Sequence, residues 1–109
     1  MTGLRDRRCV ACAAGTPPLA GARVADLRAA LAPAWQLDAA GAALTRDVRF
    51  ANFHETMAFV NAVAWIAHAE DHHPDLEVGY GHCRVTFSTH SVGGLSENDF
   101  ICAAKVDAL

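Results

Sequence analysis

Residues 53 to 71 form one long apolar segment, closed by His73-Pro74, and a chain of 109 residues must organise its single core around it. Asn52 stands where a helix needs a side-chain acceptor for its first N–H groups. Pro74 forces the residue before it out of the α region, so the helix stops there. Phe53, Met57, Val60, Ala64 and Ala67 recur at helical spacing, and Phe59, Val63 and Ile66 widen that face. The opposite side carries Ala58, Ala62 and Ala69 with Trp65 among them. A helix so apolar all round is expected to bury more than one side, which points to a partner subunit.

The flanks alternate with the two-residue period of strands. Val24, Leu27 and Leu31 first mark a short helix that Pro33 ends. Trp35 and Leu37 then alternate with Gln36, a turn follows near Gly41, and Leu44, Arg46, Val48 and Phe50 share one face of a second strand. Beyond the long helix, residues 76 to 80 and 83 to 90 predict another hairpin, turning near Gly81-His82. Its second strand puts Cys83, Val85, Phe87 and Thr89 on one face and Arg84, Thr86, Ser88 and His90 on the other. Gly93-Gly94 breaks it, and Ser96 to Asp99 opens a last helix. The order α-β-β-α-β-β-α predicts an α+β fold, a four-stranded antiparallel sheet with helices packed on one face.

Composition enters by exclusion. Hydrophobic residues make up 52% and charged residues 19%, enough for a real core. A formal charge of -3 argues against nucleic acid as the main ligand. No apolar run approaches the roughly 18 to 20 residues needed to span a bilayer, so a cytoplasmic protein with no membrane partner is expected. Residues 1 to 18 mix charge, Gly, Cys and Pro17-Pro18 and read as an irregular, weakly held arm ahead of a domain at 19 to 109. Cys9 and Cys12 form a lone C-x-x-C in that arm, with no second pair to complete a zinc site. Cys83 and Cys102 sit in apolar periodicity and read as core.

Polar residues gather where elements end: His68, His72 and His73 at the end of the long helix, His90 at the end of the last strand, Asp99 in the first turn of the last helix. The histidines are open to three readings. They are solvated helix-terminal side chains aided by the dipole, metal ligands with Glu70, Asp71 or Asp75, or acid–base groups titrating near neutral pH. Ser96-x-x-Asp99 has the spacing of a capping box. Trp35 and Tyr80 are by default core or rim aromatics, and Ser88 and Thr89 ordinary strand residues.

At these same residues the sequence resembles the pterin-4a-carbinolamine dehydratases. The resemblance rests on His68 followed after three intervening residues by His72-His73-Pro74, on Tyr80 six residues beyond the proline, on Ser88-Thr89-His90, and on Gly94-Leu95-Ser96 leading to Asp99. Trp35, Arg46, Phe50, Phe53, Phe59 and Val60 fall on the family's framework, and the match covers roughly residues 19 to 109. Two positions depart from the pattern: His68 stands where many members carry glutamate, and Leu76 replaces a frequent aromatic.

The resemblance implies the same α+β fold, assembled as a homodimer or homotetramer. It also implies a hydro-lyase that dehydrates 4a-hydroxytetrahydropterin to the quinonoid dihydropterin, recycling the cofactor of aromatic amino acid hydroxylases. No metal and no organic cofactor are implied. His72 and His90 would be the acid–base pair, His73 would orient the pterin, and Asp99 would orient His90. His68, Ser88, Thr89 and Trp35 would bind the substrate, a pterin, and an aromatic amino acid hydroxylase would share the pathway. The alternative is a non-catalytic protein-binding role on this fold, of the Rubisco assembly factor or transcription cofactor type. Such a role has no need for His72, His73 and His90 together.

Overall fold

The computed structural model describes residues 3–109; Met1 and Thr2, the start of the predicted arm, lie outside them. Three helices and four strands follow one another as α1 (Gly21–Ala29), β1 (Gln36–Leu37), β2 (Leu44–Arg49), α2 (Phe53–Glu70), β3 (Asp75–Gly79), β4 (His82–Phe87) and α3 (Glu97–Asp107). The strands form one antiparallel sheet in the order β1-β2-β4-β3. The two hairpins therefore meet through β2 and β4, with Leu44 opposite Phe87, Arg46 opposite Val85 and Val48 opposite Cys83.

Alternation decides which face is covered. Leu44, Cys83, Val85 and Phe87 have no exposed surface, whereas Asp47 and Arg84 on the other face are exposed and pair with one another. Against the buried face pack Val24 and Leu27 of α1, Val63 of α2, and Phe100, Cys102, Ala103 and Val106 of α3. Each fully buried aliphatic or aromatic side chain contributes roughly 1.5–3 kcal/mol, so this one cluster dominates folding. Trp35 completes it, its ring 6.1 Å from that of Phe87 and its indole N–H donating to Asp107 Oδ1 at 2.7 Å.

The long helix starts where predicted: Asn52 Oδ1 accepts from the Glu55 N–H at 2.9 Å. Its buried stripe, however, is Thr56, Val63 and Ala67 with half-buried Phe59, Val60 and Ile66. Phe53 and Ala64 of the expected face are exposed. Thr56 can sit inside because its hydroxyl donates to the Asn52 and Tyr80 carbonyls at 3.0 and 2.8 Å. That bond fixes the helix rotation, and Trp65 is left 67% exposed on the far side.

Strand β4 ends at Phe87 rather than at His90. Thr89 instead pairs with Gly94, its N–H donating to the Gly94 carbonyl at 2.8 Å, and His90–Val92 form a single 3-10 turn. Gly93 closes that turn at φ 68°, a left-handed conformation that favours glycine. The chain is thereby folded back so that Ser96 faces Thr89.

The arm is irregular apart from one turn at Leu4–Asp6, yet it is tied down at several points. The Cys9 N–H donates to Glu70 Oε1 at 2.7 Å, and Asn98 exchanges two hydrogen bonds with the Val10 backbone, at 3.1 and 2.8 Å. Lys105 donates to the Arg5 carbonyl at 2.7 Å. Side chains at positions 70, 98 and 105 thus hold a segment whose own sequence carries no periodic signal.

Candidate active site

The last turn of α2 places the first functional side chain. Asp71 adopts the left-handed conformation (φ 51°), and the His72 N–H reaches back to the Ala67 carbonyl at 3.1 Å while the Asp71 N–H reaches that of His68 at 3.3 Å. This is a Schellman closure with aspartate in the position usually given to glycine. It reverses the chain within two residues, so His68 stays outside on the helix, beside Trp65, while His72 turns inward. The two histidines share no side, despite their spacing of four. Among the described residues no three His, Cys, Asp or Glu side chains converge as a metal-binding group.

His72 lies parallel to the Phe87 ring, 8° between planes and 6.0 Å between centroids. Its Nε2 meets Asp99 Oδ1 at 2.6 Å. Asp99 itself is fully buried, and its second oxygen accepts from the Thr89 hydroxyl at 2.7 Å and from the Ser96 N–H at 2.9 Å. The Ser96 and Thr89 hydroxyls are 2.8 Å apart. Both carboxylate oxygens therefore have partners in fixed directions, which a buried polar group requires. The hydrogen bond to Asp99 holds the His72 imidazole above its ordinary pKa against the opposing effect of burial; the Asp99 charge adds to it, with Cys9 and Asp71 behind.

Beside this pair opens a cleft of about 390 Å³. His72, His73 and Pro74 line it from the end of α2, and Thr86, Ser88, Thr89 and His90 from β4 and the turn after it, together with Asp71, Asp75 and Ser91. His73 and His90 are exposed there, whereas only 12% of the His72 side chain reaches solvent.

The expected residues thus divide. His72, His73, His90, Ser88 and Thr89 share the cleft. Asp99 sits behind it and holds His72 rather than His90, a correction that follows from the inward turn at Asp71. Trp35 cannot touch a substrate: none of its surface is exposed, and its N–H is committed to Asp107. His68 does not line the cleft. Sequence reasoning missed that Thr89 and Ser96 fix the carboxylate and that Phe87 backs the imidazole. The capping-box spacing of Ser96 and Asp99 was the available signal.

Comparison with known proteins now bears on these groups. The family model described as pterin 4 alpha carbinolamine dehydratase matches residues 17–109. The chain belongs to this family. A relative from Nitrosomonas eutropha, named provisionally as a pterin-4-alpha-carbinolamine dehydratase, is 56% identical over 106 residues, covering 97% of this chain and 92% of its own. The crystal structure of a transcriptional coactivator/pterin dehydratase from Brucella melitensis superposes with a TM-score of 0.78 at 32% identity, over 84% of this chain and 96% of that one. A pterin dehydratase-like protein identified as a RuBisCO assembly factor in the alpha-carboxysome shares the fold, with a TM-score of 0.60 at 24% identity over 69% of this chain and 87% of its own. The four-stranded α+β architecture is thus that of the pterin dehydratases. No helix among the described residues is long and apolar enough to cross a membrane.

Proposed function

We propose that this family member dehydrates 4a-hydroxytetrahydropterin to the quinonoid dihydropterin in the cytoplasm, recycling the cofactor of aromatic amino acid hydroxylases. The observation that carries the reading is the cleft itself, lined by both His72 and His90, with a buried carboxylate on His72. Elimination of water needs one proton delivered to the departing 4a-hydroxyl and one removed from a ring N–H. Imidazoles exchange protons near neutral pH, and two of them in one cleft divide the task.

Asp99 fixes the His72 ring and favours its protonated form, so His72 suits delivery of the proton, through the ring nitrogen that Asp99 does not occupy. His90, exposed at the cleft, suits its removal. His73 and the polar groups of Ser88 orient the bicyclic ring. Thr89 has its hydroxyl on Asp99 and serves as a positioning residue, acting on the substrate through His72. The exposed apolar face of α2, with Trp65 and Phe53, supports assembly of the chain with copies of itself.

Dehydration of 4a-hydroxytetrahydropterin followed by ultraviolet absorbance tests the proposal. Wild type is expected to accelerate the reaction, and His90→Ala to lose about 10² or more of that acceleration. No acceleration by a folded wild type would overturn it and leave a protein-binding role on the same fold.

A further inference from the structure

Two thiols unused by the proposed chemistry lie against each other. Cys9 in the arm and Cys102 in α3 are 93 residues apart in the chain, with their sulfurs 3.6 Å apart. Both are free; Cys102 has no exposed surface, and Cys9 is half-buried. The separation is van der Waals contact, about 1.6 Å longer than a sulfur–sulfur bond. One side can close that gap: Cys9 sits in irregular backbone, while Cys102 is fixed on a helix.

Their surroundings give the two thiols different roles. The hydrogen bond from Cys102 lowers the Cys9 pKa against the effect of burial, and the neighbouring His72 lowers it further. Cys102 is pushed up, first by its hydrogen bond to Cys9 and then by burial. Cys9 is thus the thiol that an external reagent meets and that ionises first. Cys12 lies in the same arm, but its sulfur is 3.8 Å from Asn98 Nδ2, whereas Cys9 contacts Cys102.

We infer that Cys9 and Cys102 are a redox-active pair that closes to an intramolecular disulfide by exchange with a small-molecule disulfide. The Cys9 thiolate attacks one sulfur of the reagent, and the first small thiol departs with a proton from solvent. Cys102 then attacks Cys9 Sγ, its proton passing to the departing sulfur, so that the second small molecule leaves as a thiol. Two protein thiols lose two electrons, and one external disulfide is reduced to two thiols. The bond fastens the arm to α3 one turn beyond Asp99, and it closes nearly the whole chain into a loop.

The test is incubation of the full chain with glutathione disulfide, then alkylation, mass measurement and peptide mapping. Expected is a loss of about 2 Da with a peptide linking Cys9 to Cys102. The link should persist in Cys12→Ser, vanish in Cys9→Ser, and raise Tm by about 10 °C until dithiothreitol is added. A Cys9–Cys12 link, a glutathione adduct that persists on Cys9, or no reaction at all would overturn the inference. None of these readouts depends on turnover, so they stand or fall apart from the proposed dehydratase.

Discussion

Helix α3 carries a buried or half-buried carboxylate at each end, and the two are satisfied in opposite ways. Asp99, in the first turn, collects His72 Nε2, the Thr89 hydroxyl and the Ser96 N–H. Asp107, in the last turn, collects the Ala32 N–H at 2.8 Å, the Trp35 indole N–H and the Arg46 guanidinium. Helix geometry explains the difference. The positive end of the macrodipole favours an anion at Asp99, and the negative end disfavours one at Asp107. Asp107 is therefore matched with a permanent cation, and Asp99 can be matched with an imidazole whose charge changes with pH. One end is a fixed clasp; the other is open to chemistry, and the cleft lies there.

Activity should separate the two ends most sharply. His72→Ala should lose about 10²–10⁴ in dehydration rate, as removal of an acid–base group does. Asp107→Asn should keep turnover per folded molecule near that of wild type. Equal losses in the same absorbance assay would erase the distinction drawn here.

Stability should reverse the order. Asp107→Ala leaves three donors without their acceptor, one of them a mostly buried guanidinium, and should cost about 2–4 kcal/mol in urea unfolding. A change within experimental error would mean that Arg46 finds water or another partner. At the other end, Thr89→Val keeps the shape but takes a donor from Asp99, which should cost about 1–2 kcal/mol and reduce kcat more than it alters KM. An unchanged kcat would show that Ser96 alone suffices to hold the carboxylate.

The smallest expected effect is the most diagnostic. His72 has a raised pKa in the folded state, so its stabilising contribution is complete below the ordinary imidazole value of about 6.5 and is lost as pH rises through the raised value. The stability gap between wild type and His72→Gln should therefore be widest in mild acid and shrink above neutrality. A gap that widens with rising pH would contradict the assigned His72–Asp99 bond.

Much of this was legible in the residues because it is local. Asn52 and Pro74 bound α2, alternation in 83 to 87 named the buried face of β4, and Ser96-x-x-Asp99 marked the start of α3. The differences are one strand end, β4 stopping at Phe87 where the chain folds back, and otherwise rotation and reach. The α2 stripe keeps Val60, Val63 and Ala67 of the expected face but turns Phe53 and Ala64 outward, because the hydroxyl of Thr56 finds two carbonyls and goes inside. Trp35 is the core aromatic that its type suggests, and the substrate role implied by the resemblance does not fit it: its indole N–H is spent on Asp107, 72 residues away in the chain.

Element type and order, the bounds of α2 and the start of α3 were thus determined by the sequence itself, since periodicity, caps and proline act within a few residues. Which histidine Asp99 holds, and which thiol Cys9 touches, only the tertiary structure decided. Those partners are 27 and 93 positions apart, and their meeting depends on a left-handed residue at Asp71 and on how an irregular arm crosses two helices. No local pattern encodes such distances; packing of the whole core does.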